Sequence, residues 1–250
     1  MKAINSVSVK LAAVALLALS VPAYASVMDS RIESSAKQSY VFKTYLQGDD
    51  IKVQSKDSAV IMTGTVSEES HKSLAQDTVE GLPGVKSVDN RLEIKGESPA
   101  KNSDAWLTTK VKTTLLFHRS VSAGSTEVNT KDGNVTLRGD ASSQAQKELT
   151  TEYAKGVEGV KDVNNEMTVT KTLKKTETVG EKIDDASITA QVKMTLLYHR
   201  STSALNTKVE TKDGVVTLNG KAGNVAEIDL ATKLAKDVNG VKDVKNRMAI

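Results

Sequence analysis

Residues 104–139 read DAWLTTKVKTTLLFHRSVSAGSTEVNTKDGNVTLRG, and residues 185–220 read DASITAQVKMTLLYHRSTSALNTKVETKDGVVTLNG, equal in length and free of gaps. In the first stretch Leu107, Val111 and Leu115 recur at i, i+4 and i+8, the apolar stripe of a helix, with Asp104 as its expected N-cap. Ile188, Val192 and Leu196 repeat that stripe in the second. Val128 then leads into Lys131-Asp132-Gly133, a hairpin turn signal, and Val135 and Leu137 alternate with polar residues up to Gly139. Further on, Ala145, Leu149 and Tyr153, matched by Ala226, Leu230 and Leu234, predict a second helix that closes between Gly156 and Gly159. Val160, Val163, Met167 and Val169 supply a last strand. The order is α–β–β–α–β.

The same frame recurs a third time, upstream. Asp29, Asp104 and Asp185 are each followed 35 residues later by a glycine (Gly64, Gly139, Gly220) and 20 residues after that by another (Gly84, Gly159, Gly240). Three ungapped units of 66 residues result: 29–94, 104–169 and 185–250. The second and third share 37 of 66 positions, the first and second 17 of 66. In the first unit Ile32, Ala36 and Tyr40 form the helical stripe, and Asp57-Ser58 stands where the others have Asp-Gly. About 66 residues suffice for a small core of its own. The stretches 95–103 and 170–184 are polar, without apolar period, and read as linkers that leave the units independent, with no large shared core.

Ahead of the units, Lys2 and Lys10 precede an apolar run from Leu11 to Val21 and then Pro22-Ala23-Tyr24-Ala25. That is the pattern of a secretory signal peptide over residues 1–25 with cleavage after Ala25, and in a Gram-negative cell it addresses the periplasm. The chain has no cysteine, which excludes disulfides, thiol chemistry and a lipidated N-terminal Cys, and its 3 histidines leave little for metal sites or triads. No metal, cofactor or catalysis is expected. Without Lys2 and Lys10 the lysines and arginines exceed the acids by 1, too little for a nucleic-acid footprint. Charge is uneven across the units, −3, −1 and +3 in chain order, so an anionic partner would meet the third more readily.

His118-Arg119 and His199-Arg200 close the first helices, where cations suit the negative end of the helix dipole. His71 has no counterpart and reads as solvated. The candidate contact surface is a stripe of Trp106, Lys110 and Phe117 on the first helix of unit two. Trp106 stands where the sister units have Arg31 and Ser187, so the position is expected to be exposed. A tryptophan beside lysines suits an interaction hot spot or a membrane–water interface. Phe42, Phe117 and Tyr198, aromatic in all three units, also close the edge of each core.

The pattern resembles the BON domain family. The resemblance rests on D-x-x-[ILW]-x-x-x-V-K-x-x-L-L (Asp104 to Leu116), V-x-L-x-G (Val135 to Gly139) and G-V-x-x-V-x-N-x-[LMV] (Gly159 to Met167), repeated in unit three and more loosely in unit one. It implies an α+β fold of two helices on one face of a three-stranded mixed sheet, here three times rather than the usual two. It also implies an envelope location under osmotic stress and no known catalytic residues. The implied partners are unfolded or maturing envelope proteins, handled by a chaperone or adaptor, or else a phospholipid surface.

Overall fold

The computed structural model describes residues 21–96, 99–170, 182–202 and 206–250. The leader expected over residues 1–25 therefore lies almost wholly outside the described residues, as does most of the linker over 170–184. Unit one consists of α1 (Val21–Gln38), α2 (Tyr40–Thr44), β1 (Asp50–Lys56), β2 (Ala59–Val66), α3 (Glu69–Glu80) and β3 (Ser87–Ile94). Unit two follows with α4 (Asp104–Phe117), β4 (Thr126–Lys131), β5 (Asn134–Ala141), α5 (Gln144–Gly156), β6 (Asp162–Asn165) and β7 (Thr168–Val169). Unit three has α6 (Asp185–Tyr198), β8 (Thr207–Lys212), β9 (Val215–Gly220), α7 (Val225–Lys236) and β10 (Asp243–Asn246).

In each unit the middle strand carries the core. It pairs antiparallel with the strand before it and parallel with the strand after the helix, so every sheet is mixed and the fold is α+β. Alternation puts Val60 and Met62, Val135 and Leu137, and Val216 and Leu218 inward, all fully buried. The hairpin turn holds two residues with positive φ, Asp132 (54°) and Gly133 (82°), the form whose twist suits adjoining strands. Unit one makes the same turn without glycine, at Asp57 (55°) and Ser58 (69°).

Asp104 has another job than the one its position suggests. The N-cap of α4 is Ser103, whose Oγ accepts from the Trp106 N–H at 3.3 Å. The Asp104 carboxylate reaches across to the hairpin and accepts from the Asp132 and Gly133 N–H groups at 2.8 and 2.9 Å. Asp185 holds Asp213 and Gly214 the same way, and Asp29 holds Asp57, Ser58 and the Ser55 hydroxyl. This clamp explains why the aspartate opens every unit. The hydrogen bonds from Gly133 and Asp132 hold the Asp104 carboxyl below its usual range.

Other expectations shift with the packing. The first helix of unit one breaks at Ser39, which caps α2 by accepting from the Phe42 N–H. In α5 the inward face is Thr150 and Ala154, while Ala145 and Leu149 point to solvent. His71 is held rather than solvated, its Nδ1 2.6 Å from Asp49 Oδ2.

The main correction concerns independence. Helix α6 is buried on nearly every side, Ser187, Gln191 and Thr195 included. Its Ile188, Val192 and Leu196 serve the core of unit three, whereas Ala186, Ala190, Met194 and Tyr198 enter the core of unit one with Leu74, Ala75 and Val79. Phe117 of unit two joins that same core, edge-on to Tyr45 with ring centroids 5.4 Å apart. Polar bonds seal the contact: Asp184 Oδ2 accepts from Tyr40 N–H at 2.7 Å and Ser187 Oγ from Val41 N–H at 3.0 Å. The units form one block around α6.

Candidate functional site

Units two and three exchange equivalent contacts. Arg119 leaves the end of α4 and donates to the carbonyls of Lys236, the last residue of α7, and of Val238 and Val241 beyond it. Arg200 leaves the end of α6 and donates to Val157 and Val160, beyond the C-terminus of α5. Backbone bonds mirror one another too, Arg119 N–H to Asp237 O at 3.0 Å and Arg200 N–H to Gly156 O at 2.8 Å. The cations do meet helix C-termini, where orphan carbonyls and the negative dipole end favour them. The helices belong to the neighbouring unit.

Aromatic and acidic groups fill the seam. The His118 ring, 2% exposed, stacks on Tyr153 at 3.8 Å and 9°. The Tyr153 hydroxyl donates to Asp237 Oδ2 at 2.6 Å, Ser120 donates to Oδ1 of the same carboxylate, and His118 Nδ1 lies 3.3 Å from it. Across the seam the His199 ring covers Gly156, so a Cβ there would fall 2.6 Å from the imidazole. Among the described residues no three acidic or histidine side chains converge as a metal site would require.

The seam is expected to loosen in acid. Burial pushes the His199 imidazole below its ordinary 6.5, and Arg200 and His118 act in the same direction. A group depressed by folding contributes stability above its unfolded value and loses it as pH falls below that value. Burial alone would raise Asp237, but His118, Ser120 and Tyr153 together hold it below 3.8, so its contribution fades only at lower pH. Protection of the Arg200 and Glu158 amides, which bond across the seam, is therefore expected to fall as pH drops through 6.5 and below. Hydrogen exchange checks this, and His199→Gln is expected to flatten the change.

The stripe singled out in the sequence divides. Phe117 is 1% exposed inside the core shared with unit one and offers no surface. Trp106 is half-buried, one edge against Gly159 and the core of unit two, rather than fully exposed. Its counterpart Ser187 is 0% exposed, covered by unit one, so a small polar residue there signals a neighbour and not solvent. Lys110 stands over the Trp106 ring at 3.7 Å and beside the Tyr198 ring at 4.4 Å, a cation between aromatics of two units. Burial draws the Lys110 pKa below the ordinary lysine value, with Glu158 opposing and Lys101 adding. Tyr198 is the partner that sequence reasoning missed, since nothing in a helical stripe announces a ring from another unit.

Comparison with known proteins agrees with this architecture. The family described as BON domain matches residues 28–96, 103–171 and 184–250. The Osmotically-inducible protein Y of Escherichia coli (strain K12) is 39% identical over 143 residues, covering 57% of this chain and 70% of that protein. The Outer membrane lipoprotein DolP of Haemophilus influenzae is 32% identical over 113 residues, 45% of this chain and 56% of the other. A solved structure of CdsD, a structural protein of the type III secretion system of Chlamydia trachomatis, covers 89% of this chain and 90% of its own at 16% identity, with a TM-score of 0.24, too low to bear on the fold. With the family's pattern matched three times over most of the chain, each match containing one helix–hairpin–helix–strand unit, the protein belongs to the BON domain family.

Proposed function

We propose that the protein is a non-catalytic binding protein of the bacterial envelope, active under osmotic stress, that engages unfolded or maturing envelope proteins as a chaperone or adaptor. The contact is the face of α4 carrying Trp106 and Lys110. The observation that supports it is the cation–aromatic pair itself: a half-exposed tryptophan with a lysine at 3.7 Å, fixed on a helix that the three-unit block holds rigid. A preorganised aromatic beside a charge is the composition of an interaction hot spot. The relatives' names, one osmotically inducible and one an outer membrane lipoprotein, support the compartment and the stress context.

A second reading is attachment to anionic phospholipid. It is favoured by Lys101, Lys110 and Lys112 lying on or next to the same helix. The test follows light scattering of an unfolded outer-membrane β-barrel protein, and in parallel flotation with phosphatidylglycerol vesicles. Trp106→Ser and Lys110→Glu are each expected to weaken suppression of aggregation by about tenfold, with the fold retained by circular dichroism. Vesicle flotation lost on adding salt, without any effect on aggregation, would establish the lipid reading instead.

A further inference from the structure

Each unit has a glycine in the turn before its last strand, and that glycine faces the unit's first helix. In unit one a Cβ on Gly84 would meet Met28 Sδ at 3.0 Å and Ile32 Cδ1 at 3.8 Å. In unit three a Cβ on Gly240 would meet Ile183 Cβ and Ile188 Cδ1, both at 3.0 Å. Ile32, Leu107 and Ile188 occupy one and the same core position. Met28 and Ile183 are additional: each lays an apolar side chain over the glycine, from within α1 in one unit and from ahead of α6 in the other.

Unit two lacks this cover. Asn102 and Ser103 stand at the positions of Ile183 and Met28. Ser103 caps α4, and Asn102 is exposed, its Oδ1 3.8 Å from the Cβ position of Gly159. The Trp106 ring reaches that point only with its edge, Cζ3 at 4.0 Å. What remains is an open cleft of about 470 Å³ lined by Leu107, Gly159, Asn102, Asp104, Asp132 and Lys161, within the roughly 300–1,000 Å³ of ordinary binding pockets. Lys161 Nζ donates to Asp132 O at 2.9 Å, and the Asp104 carboxylate is taken up by the hairpin amides. The recognition left to the cleft is apolar contact with Leu107, Gly159 and the Trp106 edge. The exposed Asn102 amide, beside it, can pair with a peptide backbone.

We propose that this cleft takes an apolar side chain, methionine or isoleucine in kind, from an unfolded client polypeptide, seated as Met28 and Ile183 are seated in the sister units. Those two residues come from different backbones and share only the side chain's place, so the cleft selects an apolar residue and not a sequence. The inference rests on the proposed function and deepens it, naming what the client presents beside Trp106.

Fluorescence of Trp106, at the edge of the cleft, reports its occupancy. Gly-Ser peptides carrying one central Met, Ile, Ala or Asp are titrated into the full chain. The Met and Ile peptides are expected to bind about tenfold tighter than the Ala and Asp peptides. Exchanging Asn102→Ile together with Ser103→Asp rebuilds the Lys182-Ile183-Asp184 segment ahead of α4, since Lys101 already matches Lys182. This filled variant is expected to bind the Met peptide about tenfold more weakly, with a denaturation midpoint no lower than that of the wild type. No binding, equal binding of all four peptides, or a filled variant that binds the Met peptide as the wild type does overturns the inference. Suppression of aggregation lost in Trp106→Ser but kept in the filled variant removes the cleft and leaves the α4 face in place. A wild type that selects the Met peptide yet never suppresses aggregation upholds the cleft and overturns the chaperone reading.

Discussion

Gly139→Ala is expected to unfold the second unit and, because Phe117 then leaves the shared core, to weaken the first. Gly139 has φ +118° and faces Thr126 across the hairpin, and a Cβ built on it would lie 1.9 Å from the Ser125 carbonyl oxygen. That atom is backbone, so no side chain can swing aside. An L-residue in this region costs about 1–3 kcal/mol in strain alone. Parting β4 from β5 to relieve the overlap adds to that, in a domain whose whole margin is on the order of 5–15 kcal/mol. A Cβ on Gly64 or Gly220 would likewise fall 1.9 Å from the Asp50 or Asn206 carbonyl oxygen, which is why a glycine recurs at this spacing. Trp106, the only tryptophan in the chain, reports on unit two directly. Denaturant titration by its fluorescence is expected to show the transition moved to much lower denaturant. Gly124→Ala, at an open site with nothing within 4 Å, is the control and is expected to change little.

Phe117→Ala is expected to cost about 3–5 kcal/mol, with the loss appearing in unit one although the residue belongs to unit two. Its ring is 1% exposed and packs edge-on against Tyr45, in the core that holds Ile32, Leu74 and Ala190. Deleting it opens a void where three units meet. The wild type is expected to unfold in one cooperative transition, its three units staying associated after any cut between them. The variant is expected to split that transition and to release unit one first. Calorimetry beside limited proteolysis checks both, and a wild type that already separates into three folded fragments would show that the shared core contributes little.

What the sequence made legible follows the reach of each signal. Apolar stripes such as Leu107-Val111-Leu115 report which side of a helix meets its own sheet, and the element order came out accordingly. They say nothing of a second burial on the opposite side. In α6 that side is Ser187, Gln191 and Thr195, polar residues that read as solvent-facing yet are buried. Ser187 is satisfied by Val41 of another unit and Gln191 by the Ser187 carbonyl one turn back. Trp106 inherited the error, since its exposure was argued from Ser187. Arg119 and Arg200 were assigned to the right kind of partner on the wrong helix, because a dipole argument names a terminus and not a chain segment. Asp104 was assigned to its own helix for the same reason: a carboxylate at a helix start has a local use, and the hairpin it clamps lies 28 residues on.

The place of α6 at the centre has a consequence for how the chain is made. The N-terminal unit leaves the ribosome first, and crosses any membrane pore first, but the helix that finishes its core begins at Asp185 and ends at Tyr198. The bond from Tyr40 to Asp184 spans 144 positions. Contacts of that separation form late, because the loop they close must be ordered before they reward it. Until then the core of the first unit lacks Ala186, Ala190, Met194 and Tyr198, and the leading third of the polypeptide is expected to stay only partly folded. The protein is thus expected to lock from its tail backwards, once α6 has been made.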